Sequence, residues 1–234
     1  SEQVANCFQG RTYGFFGLGC DAVPAADVRP MGYPGFAGLK LPDTGTGRSE
    51  PYIYHFPDGN ASIARLLVRA LIPGIAPGQT MEDVVLAPFD YGRLDTGDVR
   101  IRLDSTCVDV RNASDKVLIG YVRAGVTHRV EASHAVLACF HMMIPHLMPD
   151  LAPPQRAALA QNVKTPNVYT NVAVRNWQSW AALKIFDISA PMSFHSRVAL
   201  DFPVSLGGYR HPRKPSEPIC LHLVHVAGAP NRLS

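Results

Sequence analysis

Little of this 234-residue sequence is charged: Asp, Glu, Lys and Arg make up 18%, and 22 basic against 19 acidic side chains leave a net charge of +3. So small an excess, with no basic run carrying interleaved aromatics, excludes a polycationic nucleic-acid-binding face. No stretch approaches the roughly 20 apolar residues of a membrane helix. No signal peptide is visible, and the chain starts at Ser1 without an initiator Met, as a processed or internal piece of a longer protein would. Cysteine is sparse: Cys7, Cys20, Cys107, Cys139 and Cys220 are odd in number, widely spaced and never in a CxxC pair. That pattern excludes a disulfide framework or a zinc knuckle and leaves reduced, mostly buried thiols as the expectation. Internal repeats, a Walker loop, a G-x-S-x-G elbow and an H-E-x-x-H motif are all missing. The run Gly14-Phe15-Phe16-Gly17-Leu18-Gly19 is spaced G-x-x-G-x-G, the wrong order and context for a dinucleotide fingerprint. The nine histidines show no workable ligand spacing. His222 and His225, three apart in a strand, leave opposite faces, and His141 and His146 are five apart across a proline.

What is present is a globular composition, 47% apolar, in a length that fits one large domain or parts of two. Residues 1–50 are rich in Gly and Pro and read as irregular, with an exposed loop at 43–50. "FPDGNASIARLLVRALIP" then combines a polar turn with an apolar stripe at Ile63, Leu66, Leu67, Ala70 and Leu71, the spacing of a core-facing helix. Asp58 or Asn60 is placed to cap its first turn, and Pro73-Gly74 ends it. Residues 75–98 read as a polar loop. "VRIRLDSTCVDVRN" alternates like a strand but changes phase, which predicts a bulge or bend near Asp104–Thr106. "VLIGYVR" and "VTHRVE" flank Ala124-Gly125 as a hairpin, and "HAVLAC" reads as a strand buried on both faces. A helix starts at Pro153-Pro154 and runs through "QRAALAQ". "PNVYTNVAVRN", "VALDFPVSL" and "EPICLHLVHV" supply further strands, the last two joined by a basic, Pro-rich loop. The tally is mixed α and β (α/β, or α+β), with too little helix to cover a parallel sheet on both sides. Asn60-Ala61-Ser62 and Asn112-Ala113-Ser114 are glycosylation sequons, the first at a helix start where a bare Asn caps.

The order of these pieces resembles the middle of the flavin-containing amine oxidoreductases. More specifically, "EPYIYHFPDGNASIARLLVRALIPG", "VRIRLDSTCVDVRN", "VLACFHMMIPHLMPDL", "VYTNVAVRNWQSW" and "LDFPVSLGGYRHPRKPSEPICLHL" are similar, in that order, to the bacterial spermidine dehydrogenase branch. The run "FFGLGCDAVPAADVRPMGYPGFAGLKL" resembles the segment before them. The resemblance implies part of an FAD-binding domain over 51–145, substrate-domain strands and helices over 146–234, and a substrate-side irregular segment over 1–50. It implies FAD as cofactor, an amine or polyamine as substrate, and a bacterial cytoplasmic or periplasmic setting. The partners it implies are the remainder of the same enzyme or a second copy. Such enzymes open with a Rossmann unit seating the FAD pyrophosphate, which this sequence does not contain. The expectation is therefore that the chain alone neither binds FAD tightly nor turns over spermidine.

Position by position, Cys107 with its neighbour Val108 matches the strand whose backbone meets the flavin adenine, Cys107 standing where valine is usual. Ala138 and Cys139 match the end of the apolar strand passing the cofactor. Pro57, Asp58, Gly59 and Asn60 match the turn near the flavin, with Asn60 where many relatives carry glycine. Tyr169, Asn171, Phe194 and His195 are candidates for lining the substrate. Each position has a plainer alternative as sheet core, helix cap or sheet-edge packing. No residue is singled out as a catalytic base. A same-fold flavoprotein with an apolar substrate, and a non-enzymatic module, stand as alternatives.

Overall fold

The computed structural model describes residues 2–42, 55–190 and 193–227, so the loop expected at 43–50 lies outside the described residues. Helices and purely antiparallel sheets make a mixed α and β architecture. Two compact units form, one from residues 1–89 with 165–234 and one from residues 90–164.

The first unit opens with helices where irregular structure was expected: α1 (Glu2–Gln9), α2 (Tyr13–Phe16) and α3 (Ala25–Val28). No Gly or Pro falls within residues 2–9, and the glycine-rich stretch serves as a stop, with Gly17 in the left-handed conformation after α2 (φ 69°). The buried Thr12 hydroxyl donates to the Leu18 carbonyl at 2.6 Å and pins that stop.

Helix α4 (Asn60–Leu71) appears where the periodicity predicts, but its cap and its inward face both differ from expectation. Gly59 is the entry residue, at φ 63° and ψ −139°, a region essentially open only to glycine. Neither Asp58 nor Asn60 caps the first turn; Asp58 instead accepts from the buried Ser62 hydroxyl at 2.6 Å. The apolar stripe points outward, Ile63, Leu67 and Leu71 being 47%, 60% and 54% exposed. The reason lies in two arginines. Arg65 donates to the Val85 and Ala87 carbonyls (3.0 and 2.7 Å) and sits over the Phe89 ring, while Arg69 donates to the Thr80 carbonyl at 2.6 Å. Charge-assisted bonds to those carbonyls turn the Ser62–Arg65–Arg69–Ile72 face inward.

The segment those arginines hold was expected to be a polar loop, and it carries the tightest packing instead. Single 3-10 turns at Glu82–Val85 and Tyr91–Arg93 interrupt it, and Ile75 and Val84 are 1% and 0% exposed. Val85 and Ala87 are buried beside them.

In the second unit β1 (Ser105–Asn112), β2 (Val117–Arg123) and β3 (Val126–Ala132) form an antiparallel meander. The hairpin turn lies where expected, with Ala124 and Gly125 both left-handed (φ 50° and 77°), the type I′ pattern that matches strand twist. The expected strand over 99–112 is shortened to 105–112, because left-handed Asp104 (φ 53°) breaks the extension. That left-handed Asp104 is the bend expected near Asp104–Thr106, and a separate bulge falls at Val108, between Cys107 and Asp109. Asp95 draws Arg102 and Arg123 together (3.3 and 2.8 Å) beside this sheet.

"HAVLAC" is not a strand: it runs as coil, with Val136 89% exposed. An apolar run becomes a buried strand only when neighbours take its backbone bonds, and among the described residues none pairs with it. Helices α5 (Ile144–Leu147) and α6 (Pro153–Gln161) follow, the second starting at Pro153 as expected. Arg156 ties them by donating to the carbonyls of Pro145, Met148 and Pro149 (2.6, 2.9 and 2.9 Å).

The chain then returns to the first unit with β4 (Asn167–Val174), α7 (Gln178–Leu183), β5 (Asp187–Ser189), β6 (Arg197–Leu200) and β7 (Ile219–Val226). The sheet order is β4-β7-β6-β5, antiparallel throughout. The strand expected over 198–206 ends at Leu200, shortly before Pro203, which has no N–H to give a ladder. In the loop before β7 the Glu217 carboxylate accepts from the Arg213 and Lys214 N–H groups (2.6 and 3.0 Å). The cysteines are free but not buried: Cys107 is half-buried and the other four are exposed.

Candidate functional site

In the four-stranded sheet, pairing register sorts side chains into two faces. Tyr169 lies opposite Val224 and then Arg197, and Asn171 lies opposite His222 and then Ala199, which itself faces Asp187. These share one face, since paired residues point the same way and alternate residues do too. Val168 and Thr170, with their partners His225 and Leu223, occupy the other.

The first of these faces forms one wall of a groove of about 620 Å³. The N-terminal helical segment, through Arg11 and Tyr33 among others, forms the opposite wall. The volume falls in the usual range for small-molecule sites. Asn171 Oδ1 accepts from His222 Nδ1 at 2.9 Å, which in a neutral ring leaves Nε2 as an acceptor. The Tyr169 ring lies 5.1 Å from the His222 ring, centroid to centroid, and is 62% exposed. Arg197 forms an ion pair with Asp187 across the β5–β6 ladder. Arg11 has its guanidinium 5.8 Å from the Phe8 ring centre and, among the described residues, no carboxylate partner. Two arginines and one aspartate give the lining one net positive charge.

The four residues expected to line a substrate are therefore divided. Tyr169 and Asn171 reach the groove face, whereas Phe194 and His195 belong to the other. His195 Nε2 meets Thr170 Oγ1 at 2.9 Å, and the Phe194 ring stacks on His225 at 4.0 Å while its carbonyl accepts from His225 Nδ1. Alternation along β4 puts Tyr169 and Asn171 on one face, while Phe194 and His195, which precede β6, are held on the other by Thr170 and His225.

The residues expected to meet a cofactor are spread over both units. Pro57, Asp58, Gly59 and Asn60 form the entry to α4 in the first unit; Cys107 and Val108 lie on β1, and Ala138 and Cys139 on the exposed coil, in the second. For FAD, the group that the resemblance implies, the fit differs by position. A Cβ at Gly59 would meet nothing within 4 Å, so the turn is open. Val108, 44% exposed, falls outside the β1–β2 pairing and presents backbone that the ladder does not claim. Turn and bulge thus suit contacts through the main chain. The coil at Ala138 and Cys139 does not form the buried strand that such a contact requires.

Arg11, Asp187, Arg197 and His222 were not anticipated as groove residues. The alternation of β7 was a usable signal for His222, which shares parity with Val224. For Arg11 there was none, because its approach to the sheet is tertiary. Among the described residues no group of three His, Cys, Asp or Glu could hold a metal ion, and no helix is long and apolar enough to cross a membrane. Compared with models of protein families and with curated proteins, the chain matches none.

Proposed function

We propose that the chain is part of an FAD-dependent amine dehydrogenase of the polyamine-oxidising kind. The observation that carries the reading is the ordered set of five segments, falling on the turn and α4, on bulged β1, on the coil and α5, on β4 with α7, and on the β6–β7 region. Two surfaces support it. The outward stripe of α4 and the coil around Val136 are apolar and uncovered, as they would be where the rest of a flavin domain packs.

In this reading the main chain of the open turn Pro57–Asn60 is the first unit's surface for cofactor contact, and the backbone at Cys107–Val108 is the second unit's. FAD, when bound, supplies the hydride acceptor for the carbon next to the substrate nitrogen. The protein orients that C–H bond and favours the deprotonated amine. The positively charged groove is a poor place for a polyamine, so the polyamine's own site is not assigned to it.

The test is to express the chain together with whatever flanking sequence its gene encodes. The expected product is yellow, and its flavin bleaches anaerobically when spermidine is added. A colourless product would sink the proposal. Flavin that ignores amines but is bleached by an apolar substrate would move the reading to a different flavoprotein of the same fold. The same uncovered apolar stripe also favours a second reading, a non-enzymatic module assembled on another chain, which a colourless product in a stable complex would support.

A further inference from the structure

We infer that the groove between the N-terminal helical segment and the β4-β7-β6-β5 sheet is a binding site for a small organic monoanion, a carboxylate carried on a flat apolar body. The amine-oxidising reading expected Tyr169 and Asn171, which lie on this groove face, to line an amine substrate; an anion there is a different ligand and requires no flavin.

Charge comes first. Arg197 is already matched by Asp187 through a hydrogen-bonded ion pair, which leaves Arg11 as the lining's uncompensated charge. A single negative charge brings the groove to neutrality; a cation adds to an existing excess. Arginine also meets a carboxylate with two parallel N–H donors, so the preference extends beyond charge to shape.

The remaining lining suits the body of such a ligand. Tyr33 and Tyr169 offer aromatic surface from opposite walls, and the Tyr169 ring is held against His222 yet stays 62% exposed. His222 is itself oriented by Asn171, so the aromatic wall is fixed before anything binds. Polar groups at one place and apolar surface around them is the usual composition of a small-molecule site.

The test uses the full chain, with benzoate as the probe and benzylamine as the cation of the same shape. Binding is read by NMR titration of the Tyr169 and His222 ring signals. Benzoate is expected to bind in the millimolar range, as about nine heavy atoms allow, and benzylamine at least about tenfold more weakly. Arg11→Gln should weaken benzoate about tenfold, the usual size of one lost charge-assisted contact. Asp187→Asn frees Arg197 and should tighten benzoate several-fold, a gain that misfolding cannot mimic. Equal or tighter binding of benzylamine, an unchanged affinity in Arg11→Gln, or no benzoate binding at about 10 mM would each overturn the assignment.

Discussion

Gly207, in the loop between β6 and β7, should not tolerate even a methyl group. Its φ is 58°, and a Cβ placed there would stand 2.2 Å from the Glu82 carbonyl oxygen and 2.9 Å from the Val85 Cβ. Two costs follow for Gly207→Ala. The left-handed conformation alone costs an alanine about 1–2 kcal/mol. The steric cost adds about 1–3 kcal/mol, as for overpacking elsewhere, because neither neighbour can yield. One is main chain in the turn that carries buried Val84, and the other is a β-branched side chain only 8% exposed. The sum is about 2–5 kcal/mol. Gly32→Ala is the matched control, since its φ is 76° but its Cβ would meet nothing within 4 Å. It should lose only the conformational part, about 1–2 kcal/mol. Urea unfolding followed by tryptophan fluorescence reads the relevant unit, because both tryptophans, Trp177 and Trp180, lie in it with both glycines. With a urea slope of about 1–3 kcal/mol/M, the two variants should differ in midpoint by roughly 1 M. Coincident midpoints would show that the loop does not press on the Glu82–Val85 turn, and the reasoning would fail.

Ala124→Asn should stabilise the second unit by about 0.5–1 kcal/mol, since Asn accepts the left-handed conformation that alanine holds under strain; slower amide exchange in β2 and β3 would register it, and unchanged exchange would count against the I′ turn. Ser62→Ala removes the hydroxyl that donates to Asp58 in a fully buried position and should cost about 1–2 kcal/mol, seen as a lower urea midpoint. Acid should weaken the first unit in a defined way. The backbone N–H groups of Thr80 and then Gln79 hold the Asp83 carboxyl below its usual range, and those of Lys214 and Arg213 do the same for Glu217. A depressed folded pKa means the unfolded chain takes up protons first. The stabilisation is therefore complete above the unfolded values near about 4 and is lost as pH falls through the lower folded ones. The double variant Asp83→Asn with Glu217→Gln should flatten the fall in urea midpoint below about pH 4; an acid slope equal to the parent's would contradict the two carboxylate caps.

Features whose energetics are local were legible in the residues. The hairpin at 117–132 follows from two alternating runs around Ala-Gly, and α6 from a proline pair ahead of helix formers. Helix α4 was visible as a helix because periodicity is a property of consecutive residues. Which of its faces turns inward was not, since Arg65 and Arg69 find carbonyl partners 11 to 22 residues away. Val84 and Val85 gave no periodic signal, since they open a short apolar run, Val84–Ala87, inside a stretch read as a loop, yet they are core. "HAVLAC" had the composition of a buried strand and lacks a partner to make it one.

The groove lies furthest from the sequence. Alternation along β4 and β7 was enough to group Tyr169 and Asn171 and to part His222 from His225. It could not show that Phe194 and His195 fold onto the opposite face, because they precede β6 outside any ladder. Nor could it bring Arg11 across more than 150 residues of chain to the Arg197–Asp187 pair. Short-range order set the elements, and the closing of long loops decided which charges meet.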